Sequence, residues 1–121
     1  MSGFLLAVAV SLAGGVGSAL RHLNDNVLPA RVRARYPWGT TVVNLVGSFA
    51  LGSLTGLNLA GPWGSVITIG LLGGYTTFST ASLETLRLLT DRRYSAAVVH
   101  GFGMLLACVT AAVLGILSTR P

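Results

Sequence analysis

Residues 70–84, GLLGGYTTFSTASLE, place two glycines, a threonine-rich run and an acid inside an apolar segment long enough to span a membrane. Glycine destabilises a helix interior and threonine is only a modest helix former, so we expect the backbone to open within residues 73–77. In a bilayer, an opened backbone is tolerated only where protein or a water-filled cavity satisfies its N–H and C=O groups. The stretch therefore predicts a broken transmembrane helix with an ion or substrate site at the break.

The composition indicates an integral membrane protein. Only 9% of the 121 residues are charged, 52% are hydrophobic and the mean hydropathy is +0.74, values unlike those of soluble domains. Four apolar segments each approach the roughly 20 residues needed to cross a hydrocarbon core; they cover residues 3–20, 39–59, 63–89 and 95–118. We therefore predict an all-α membrane protein in which four transmembrane helices form a single domain over residues 1–121, surrounded by membrane lipid.

The first segment has one alternative interpretation, a signal peptide, but it lacks a basic leader and a small-residue cleavage site. At 12.5 kDa the chain is too small to enclose a pore with protein on every side. We therefore expect it to work as an oligomer.

The arginines are distributed asymmetrically across the predicted membrane. Those that follow the first and third segments, which end on the same side of a four-span chain, are Arg21, Arg31, Arg33, Arg35, Arg87, Arg92 and Arg93. Only Arg120 lies on the other side. The positive-inside rule then predicts a plasma-membrane protein with both termini outside and the arginine loops in the cytoplasm. The net charge of +5 is not accompanied by an aromatic-basic binding module, so nucleic acid is not an expected partner.

Three stretches carry a family resemblance: GGVGSALRH (14–22), GTTVVNLVGSFALG (39–52) and GGYTTFSTASLE (73–84). Their order, their spacing and the four-span frame resemble the CrcB/Fluc fluoride channels over essentially the whole chain. The resemblance implies an antiparallel dimer with one subunit inverted, passive export of fluoride through pores between the subunits, and a structural Na⁺ at the dimer centre that is not transported.

The resemblance assigns this Na⁺ to the backbone carbonyls of Gly73 and Thr76. A helix break releases carbonyls from their partners, and a hard cation prefers oxygen ligands. The alternative is that Gly73 and Gly74 only allow close packing of helices, as small residues do in membranes. Gly52 and Gly56, and the glycines of the 14–17 run, also indicate close-packing faces.

The resemblance further implies a fluoride path whose residues are Arg21, Asn44, Phe78, Ser79, Thr80 and Glu84. The amide of Asn44 offers two donors that would replace part of the hydration shell of fluoride; a hydrogen bond between helices is the alternative. The ring edge of Phe78 carries partial positive charge and would stabilise an anion weakly, although a membrane phenylalanine usually packs.

The polar residues after Phe78 have two interpretations. Thr80 and Glu84 share a helix face, and the neighbouring hydroxyls of Ser79 and Ser82 either line a polar track or bond to their own helix. We expect Glu84 to be protonated or hydrogen-bonded if it lines the path, because a bare carboxylate repels an anion. Arg21 either attracts anions in a vestibule or extends to the lipid headgroups.

Four positions depart from the family pattern. Ala81 stands where a second pore phenylalanine is usual, Met104 and Cys108 where polar residues are expected, and His100 where an asparagine or similar group is common. These changes and the one-sided arginines favour pairing with an oppositely oriented paralogue that leaves a single good pore; pairing of the chain with itself is the alternative. His100 and Cys108 lack the converging ligand set of a zinc site.

Other classes of protein fit less well. An enzyme is not expected, since the sequence has no nucleophile–base pair, paired carboxylates or phosphate loop. A small exporter of the multidrug-resistance type needs an acid in the first segment, and residues 3–20 contain none. A non-transporting assembly subunit would leave Asn44, Glu84 and the TTFST break unexplained.

Overall fold

The computed structural model describes residues 2–27, 29, 31, 36–59 and 61–121. Its long helices are α1 (Gly3–Asp25), α2 (Trp38–Leu57), α3 (62–75), α4 (Ser79–Thr90) and α5 (Tyr94–Thr119). Four stretches are long and apolar enough to cross a membrane; they are Gly3–Asn24, Trp38–Leu57, Pro62–Thr90 and Tyr94–Thr119. The predicted all-α class with four spans is confirmed. Arg33 and Arg35 of the predicted basic loop lie outside the described residues.

Helix α1 is longer than the predicted segment 3–20, which ended too early. Ser2 caps its start by accepting a 3.2 Å hydrogen bond from Leu5 N–H. At the other end the Asn26 side chain donates to the His22 carbonyl at 2.9 Å. Capping of the last carbonyls lets the helix carry Arg21 and His22 within its final turns.

The third crossing is interrupted, as predicted, but the break lies at residues 76–78 and so begins and ends later than the predicted 73–77. Helix α3 is α-helical at Pro62–Ser65, π-helical over Val66–Leu72 and α-helical at Gly73–Tyr75. Thr76 then becomes extended, with φ −79° and ψ 161°, and α4 begins at Ser79. The two glycines themselves stay helical, and the extended residue is a threonine.

The helices pack as two close pairs, α1 with α3 and α2 with α5, while α4 rests on the first turns of α5. Glycines allow both pairs to approach. A Cβ on Gly115 would lie 2.5 Å from the Phe49 carbonyl oxygen, and one on Gly52 would overlap the Ala112 carbonyl. In the other pair, a Cβ on Gly17 would overlap the Leu71 carbonyl. The predicted close-packing roles are therefore confirmed at Gly52 and Gly17.

Within the single chain, Gly15 has no such contact, because no atom outside its own helix lies within 4 Å of a Cβ placed there; a packing role toward a second chain stays a prediction. The hydrophobic core of the described chain is thin. Its buried apolar side chains are Val43, Leu88, Ala97 and Met104. Most apolar surface therefore faces outward, where lipid or another chain would cover it.

Candidate functional site

Asn44, on α2, closes the opened backbone at the break. Its Nδ2 donates to the Thr77 carbonyl at 2.9 Å, and its Oδ1 accepts from the Thr77 N–H at 2.9 Å. A side-chain amide thus pairs with both polar groups of one residue, which removes the cost of unpaired backbone in a membrane. The interhelical hydrogen bond named as the alternative for Asn44 is present in the single chain, while a role toward an anion stays a prediction.

At the break, two backbone N–H groups donate to side chains and not to the carbonyls that they would bond in a continuous helix. In a continuous α-helix, the carbonyls of Gly73 and Thr76 accept from the N–H groups of Thr77 and Thr80. Here Thr77 N–H donates to Asn44, and Thr80 N–H donates to Thr77 Oγ1 at 3.2 Å, which caps α4. The two carbonyls assigned to Na⁺ by resemblance therefore lose their regular intrahelical donors, an arrangement that fits a hard cation.

The paired glycines have different surroundings. A Cβ on Gly74 would overlap the backbone of Gly14, whereas no atom lies within 4 Å of one on Gly73. Close packing of helices therefore accounts for Gly74. It does not account for Gly73, which is exposed in the single chain.

Helix α1 contacts the break through three polar side chains. Ser18 Oγ donates to the Gly74 carbonyl at 3.3 Å, Arg21 Nη1 donates to the Thr76 carbonyl at 3.1 Å, and the Asn24 amide donates to the Tyr75 hydroxyl. Arg21 is half-buried and bonds to the break, while its role toward an anion or the headgroups stays a prediction. Its guanidinium places a positive charge beside the opened backbone, where the Thr76 carbonyl retains a second lone pair.

A cleft of about 580 Å³ lies where α2, the break and α5 meet. It brings together four of the predicted site residues, namely Asn44, Gly73, Thr76 and Phe78. The Phe78 side chain is 87% exposed, so its ring is not part of a core. The other predicted residues, Arg21, Ser79, Thr80 and Glu84, do not line this cleft.

The four departures from the family pattern line the same cleft. They are Ala81, His100, Met104 and Cys108. Met104 is directly connected to the break, because its sulfur accepts from Asn44 Nδ2 at 3.2 Å. The sequence identified these positions together as departures from the family pattern, but their common location in one cleft depends on the packing of α4 against α5.

The polar residues of α4 have different partners. Ser82 Oγ donates to the carbonyl of Phe78 at 2.9 Å, which is the intrahelical alternative considered for it. Glu84 Oε1 accepts a 2.6 Å hydrogen bond from Thr40 Oγ1, and Glu84 Oε2 lies 4.0 Å from His100 Nε2.

Within the described ranges, no group of three His, Cys, Asp or Glu side chains is placed to hold a metal ion.

Two residues that stabilise the site, Thr77 and Thr40, were not predicted from the sequence. Thr77 caps α4 and supplies the peptide that Asn44 binds, and the signal for it was the Thr-Thr doublet before a new helix. Thr40 reaches Glu84 from another helix, and no local pattern indicates that contact.

Comparison with known proteins gives a consistent result. The family model described as CrcB-like protein, Camphor Resistance (CrcB), matches residues 8–116. A Leifsonia xyli protein named fluoride-specific ion channel FluC 1 is 44% identical over 93% of this chain and 85% of its own length. Proteins named fluoride-specific ion channel FluC from Magnetococcus marinus and Geobacter metallireducens are 40% and 39% identical over 92% and 96% of the chain, and over 94% and 98% of their own lengths.

Proposed function

Because the chain belongs to the CrcB family, we propose that it is a fluoride-selective channel that lets F⁻ leave the cytoplasm passively, down its electrochemical gradient. The observation that carries this function is the match to fluoride-specific channels over nearly the full length of both chains. An ion channel is not an enzyme, and the function needs no catalytic step.

The fluoride path would use the ring edge of Phe78 and the amide of Asn44. One Asn44 donor is held by the Thr77 carbonyl, and the other faces the sulfur of Met104. A thioether is a weak acceptor, so fluoride would displace it at little cost while the bond to Thr77 keeps the amide in place. Weak, multiple contacts of this kind allow an ion both to enter and to leave.

The remaining path residues would act around these two. Arg21 would attract the anion with its charge, and the hydroxyls of Ser79 and Thr80 would replace water at the next step. Glu84 accepts a hydrogen bond from Thr40, which would offset part of the carboxylate charge that otherwise repels an anion.

The structural Na⁺ would be bound by the carbonyls of Gly73 and Thr76. The loss of their regular intrahelical donors and the open space beside Gly73 support this assignment. Two oxygens from one chain are few for a hard cation, so an equivalent pair from a second chain would complete the site. The ion would hold the two breaks together and would not be transported.

The second chain would be inverted in the membrane. The thin core and the exposed Phe78 support a partner, and the one-sided arginines support termini outside and arginine loops in the cytoplasm. Because the arginines favour one orientation, an oppositely oriented paralogue is the favoured partner; a second copy of this chain is the alternative.

Efflux from liposomes tests the function. Vesicles that contain the reconstituted protein and are loaded with F⁻ or Cl⁻ should release F⁻ and retain Cl⁻, and replacing Na⁺ by a large organic cation should reduce the F⁻ rate. Equal release of the two anions would contradict the selective channel. An unchanged rate without Na⁺ would contradict the cation site alone.

A further inference from the structure

Three side chains on one side of α5 carry soft donor atoms at the cleft. They are the imidazole of His100, the thioether of Met104 and the thiol of Cys108, and all three line the cleft. Successive members stand four positions apart, a spacing that makes them neighbours on a helix surface. His100 lies in the π-helical turn Val99–Gly103, and the α-helical part of α5 begins at Met104. The shared lining shows that the junction between the two parts keeps the three donors on one side.

The hydrogen bonds of the described chain leave these donors free to bind a ligand. His100 is 1% exposed, and within the described residues neither of its ring nitrogens has a hydrogen-bond partner, which is unfavourable for a buried polar group. The Met104 sulfur accepts from Asn44 Nδ2 at 3.2 Å, which fixes its position at the cleft and leaves its other lone pair free. Cys108 is a half-buried free thiol.

The donor atoms suit a soft cation better than an anion. A thioether sulfur has lone pairs but no hydrogen to donate, so it offers a halide nothing. Thioether and thiolate sulfur select soft metal ions such as Cu⁺, and imidazole accompanies them in many sites. Zn²⁺ favours a closed tetrahedron of ligands, which this face does not supply. The soft monovalent ions Cu⁺ and Ag⁺ accept lower coordination numbers.

The charge of the cleft favours a monovalent ion. The described residues that line it include no Asp, Glu, Lys or Arg. When the ion binds, the S–H bond of Cys108 breaks, its proton leaves to water and a metal–sulfur bond forms, so the thiolate and a monovalent ion are neutral together. A divalent ion would leave a net positive charge in a region of low dielectric, which is costly.

We propose that Cys108, Met104 and His100 form a binding site for a soft monovalent cation, Cu⁺ or Ag⁺, and that a bound ion closes the cleft to fluoride. Binding of the ion does not depend on channel function, whereas closure rests on the proposed function. The ion would hold the sulfur that fluoride has to displace from Asn44 and would fill the space beside that amide. Na⁺ would not compete, because a hard ion prefers carbonyl oxygens to sulfur.

Equilibrium dialysis of the full chain in detergent tests the site, with Ag⁺ in chloride-free buffer and increasing glutathione as the competing thiol. The wild type should retain equimolar Ag⁺, and excess Zn²⁺ or Na⁺ should not displace it. Cys108→Ser should abolish retention. Met104→Leu should lower the glutathione concentration that removes the ion by about 100-fold, because an adjacent donor on the same chain acts at high effective concentration. His100→Asn should lower it in the same direction.

Two control variants match these changes. His22→Asn removes the other histidine of the chain and should retain Ag⁺ as the wild type does. Leu106→Met added to Met104→Leu moves the thioether to an exposed position outside the lining of the cleft, and it should not restore retention. A Met104→Leu protein that retains Ag⁺ as firmly as the wild type would reduce the site to a lone reactive thiol and overturn the inference. This variant decides even if His100→Asn does not fold, because leucine and methionine are similar in volume.

Fluoride efflux from liposomes tests closure of the cleft. Ag⁺ should abolish F⁻ efflux through the wild-type assembly and should leave the efflux of Cys108→Ser as it is without Ag⁺. A wild type that retains Ag⁺ but conducts fluoride unchanged would overturn closure while leaving the proposed function intact. A chain that retains Ag⁺ but passes no fluoride even without it would contradict the proposed function, and closure with it, but would support the metal site.

Discussion

Phe78 is the residue whose exposure separates a pore role from a packing role. Its side chain is 87% exposed, so Phe78→Ala removes no core contacts and should change the stability of the chain by no more than about 0.5 kcal/mol. If its ring edge contacts fluoride, the same change should lower the F⁻ efflux rate about tenfold, which corresponds to about 1.4 kcal/mol. Efflux and the thermal midpoint in detergent measure the two effects.

Phe102→Ala is the matched control for Phe78. Phe102 is another exposed phenylalanine, 68% accessible, and lies on α5 outside the lining of the cleft. We expect it to leave the efflux rate near that of the wild type. A comparable loss in both variants would mean that aromatic contact with lipid or a partner, and not contact with the anion, explains Phe78.

Asn44 should matter for stability even before any ion is considered. Asn44→Ala leaves the N–H and C=O of Thr77 without their partners, at about 1–3 kcal/mol for each group. We therefore expect a lower thermal midpoint together with loss of flux. Thr55→Ala on the same helix loses only a 2.8 Å hydrogen bond to its own helix, at the Leu51 carbonyl, and should change the midpoint little; a similar drop in both would contradict the closing role of Asn44.

At the scale of the element, the break in the third crossing gives adjacent glycines opposite sensitivities. Gly74→Ala places a methyl group against the Gly14 backbone and should destabilise the chain by about 1–3 kcal/mol. Gly73→Ala meets open space in the single chain and should stabilise the helix by about 0.5–1 kcal/mol. The thermal midpoint of the monomer distinguishes the two variants.

Gly73→Ala should be harmful in the dimer although it stabilises the monomer. If its carbonyl and open face meet a second chain, Gly73→Ala should weaken dimer formation and the dependence of flux on Na⁺ while the monomer remains folded. Size-exclusion chromatography with and without Na⁺ measures dimer formation, and efflux with and without Na⁺ measures the dependence of flux. A Gly73→Ala protein that keeps both the dimer and the Na⁺ dependence would place the cation elsewhere.

The break was predictable from the sequence because it depends on local composition. The contacts that satisfy its opened backbone were not predictable. Gly-Gly-Tyr-Thr-Thr inside an apolar run weakens a helix wherever it occurs. The pairing of Asn44 with Thr77 joins residues 33 positions apart, and the contact of Thr40 with Glu84 joins residues 44 apart, so both depend on packing. The π-helical turns at Val66–Leu72 and Val99–Gly103 have no signal in hydrophobic periodicity, because they arise where helices adjust to their neighbours.

At the scale of the whole molecule, the proposed inverted dimer requires copies that insert in both orientations. Two apolar pairs of helices around a thin core leave much surface for another chain to cover. An inverted dimer also needs a second chain that inserts in the opposite orientation. The arginines of the two loops should hold this chain in one orientation. If the proposed inverted dimer conducts, the orientation of each copy would decide whether it assembles.

We expect the chain expressed alone to label at a Pro121→Cys residue from the outside only, and to conduct little fluoride. An inverted partner can be made from the same chain by moving charge across the membrane; its substitutions are Arg31→Ser, Arg33→Ser, Arg35→Ser, Arg92→Ser, Arg93→Ser, Leu59→Lys and Ser118→Lys. This copy keeps Arg21, which bonds to the break. Co-expression of the two copies should raise fluoride efflux well above that of either copy alone, because only the mixture supplies both orientations. A stable, fluoride-conducting dimer formed by the unmodified chain alone would show that it inserts both ways and would reject the need for a paralogue, while leaving the channel function intact.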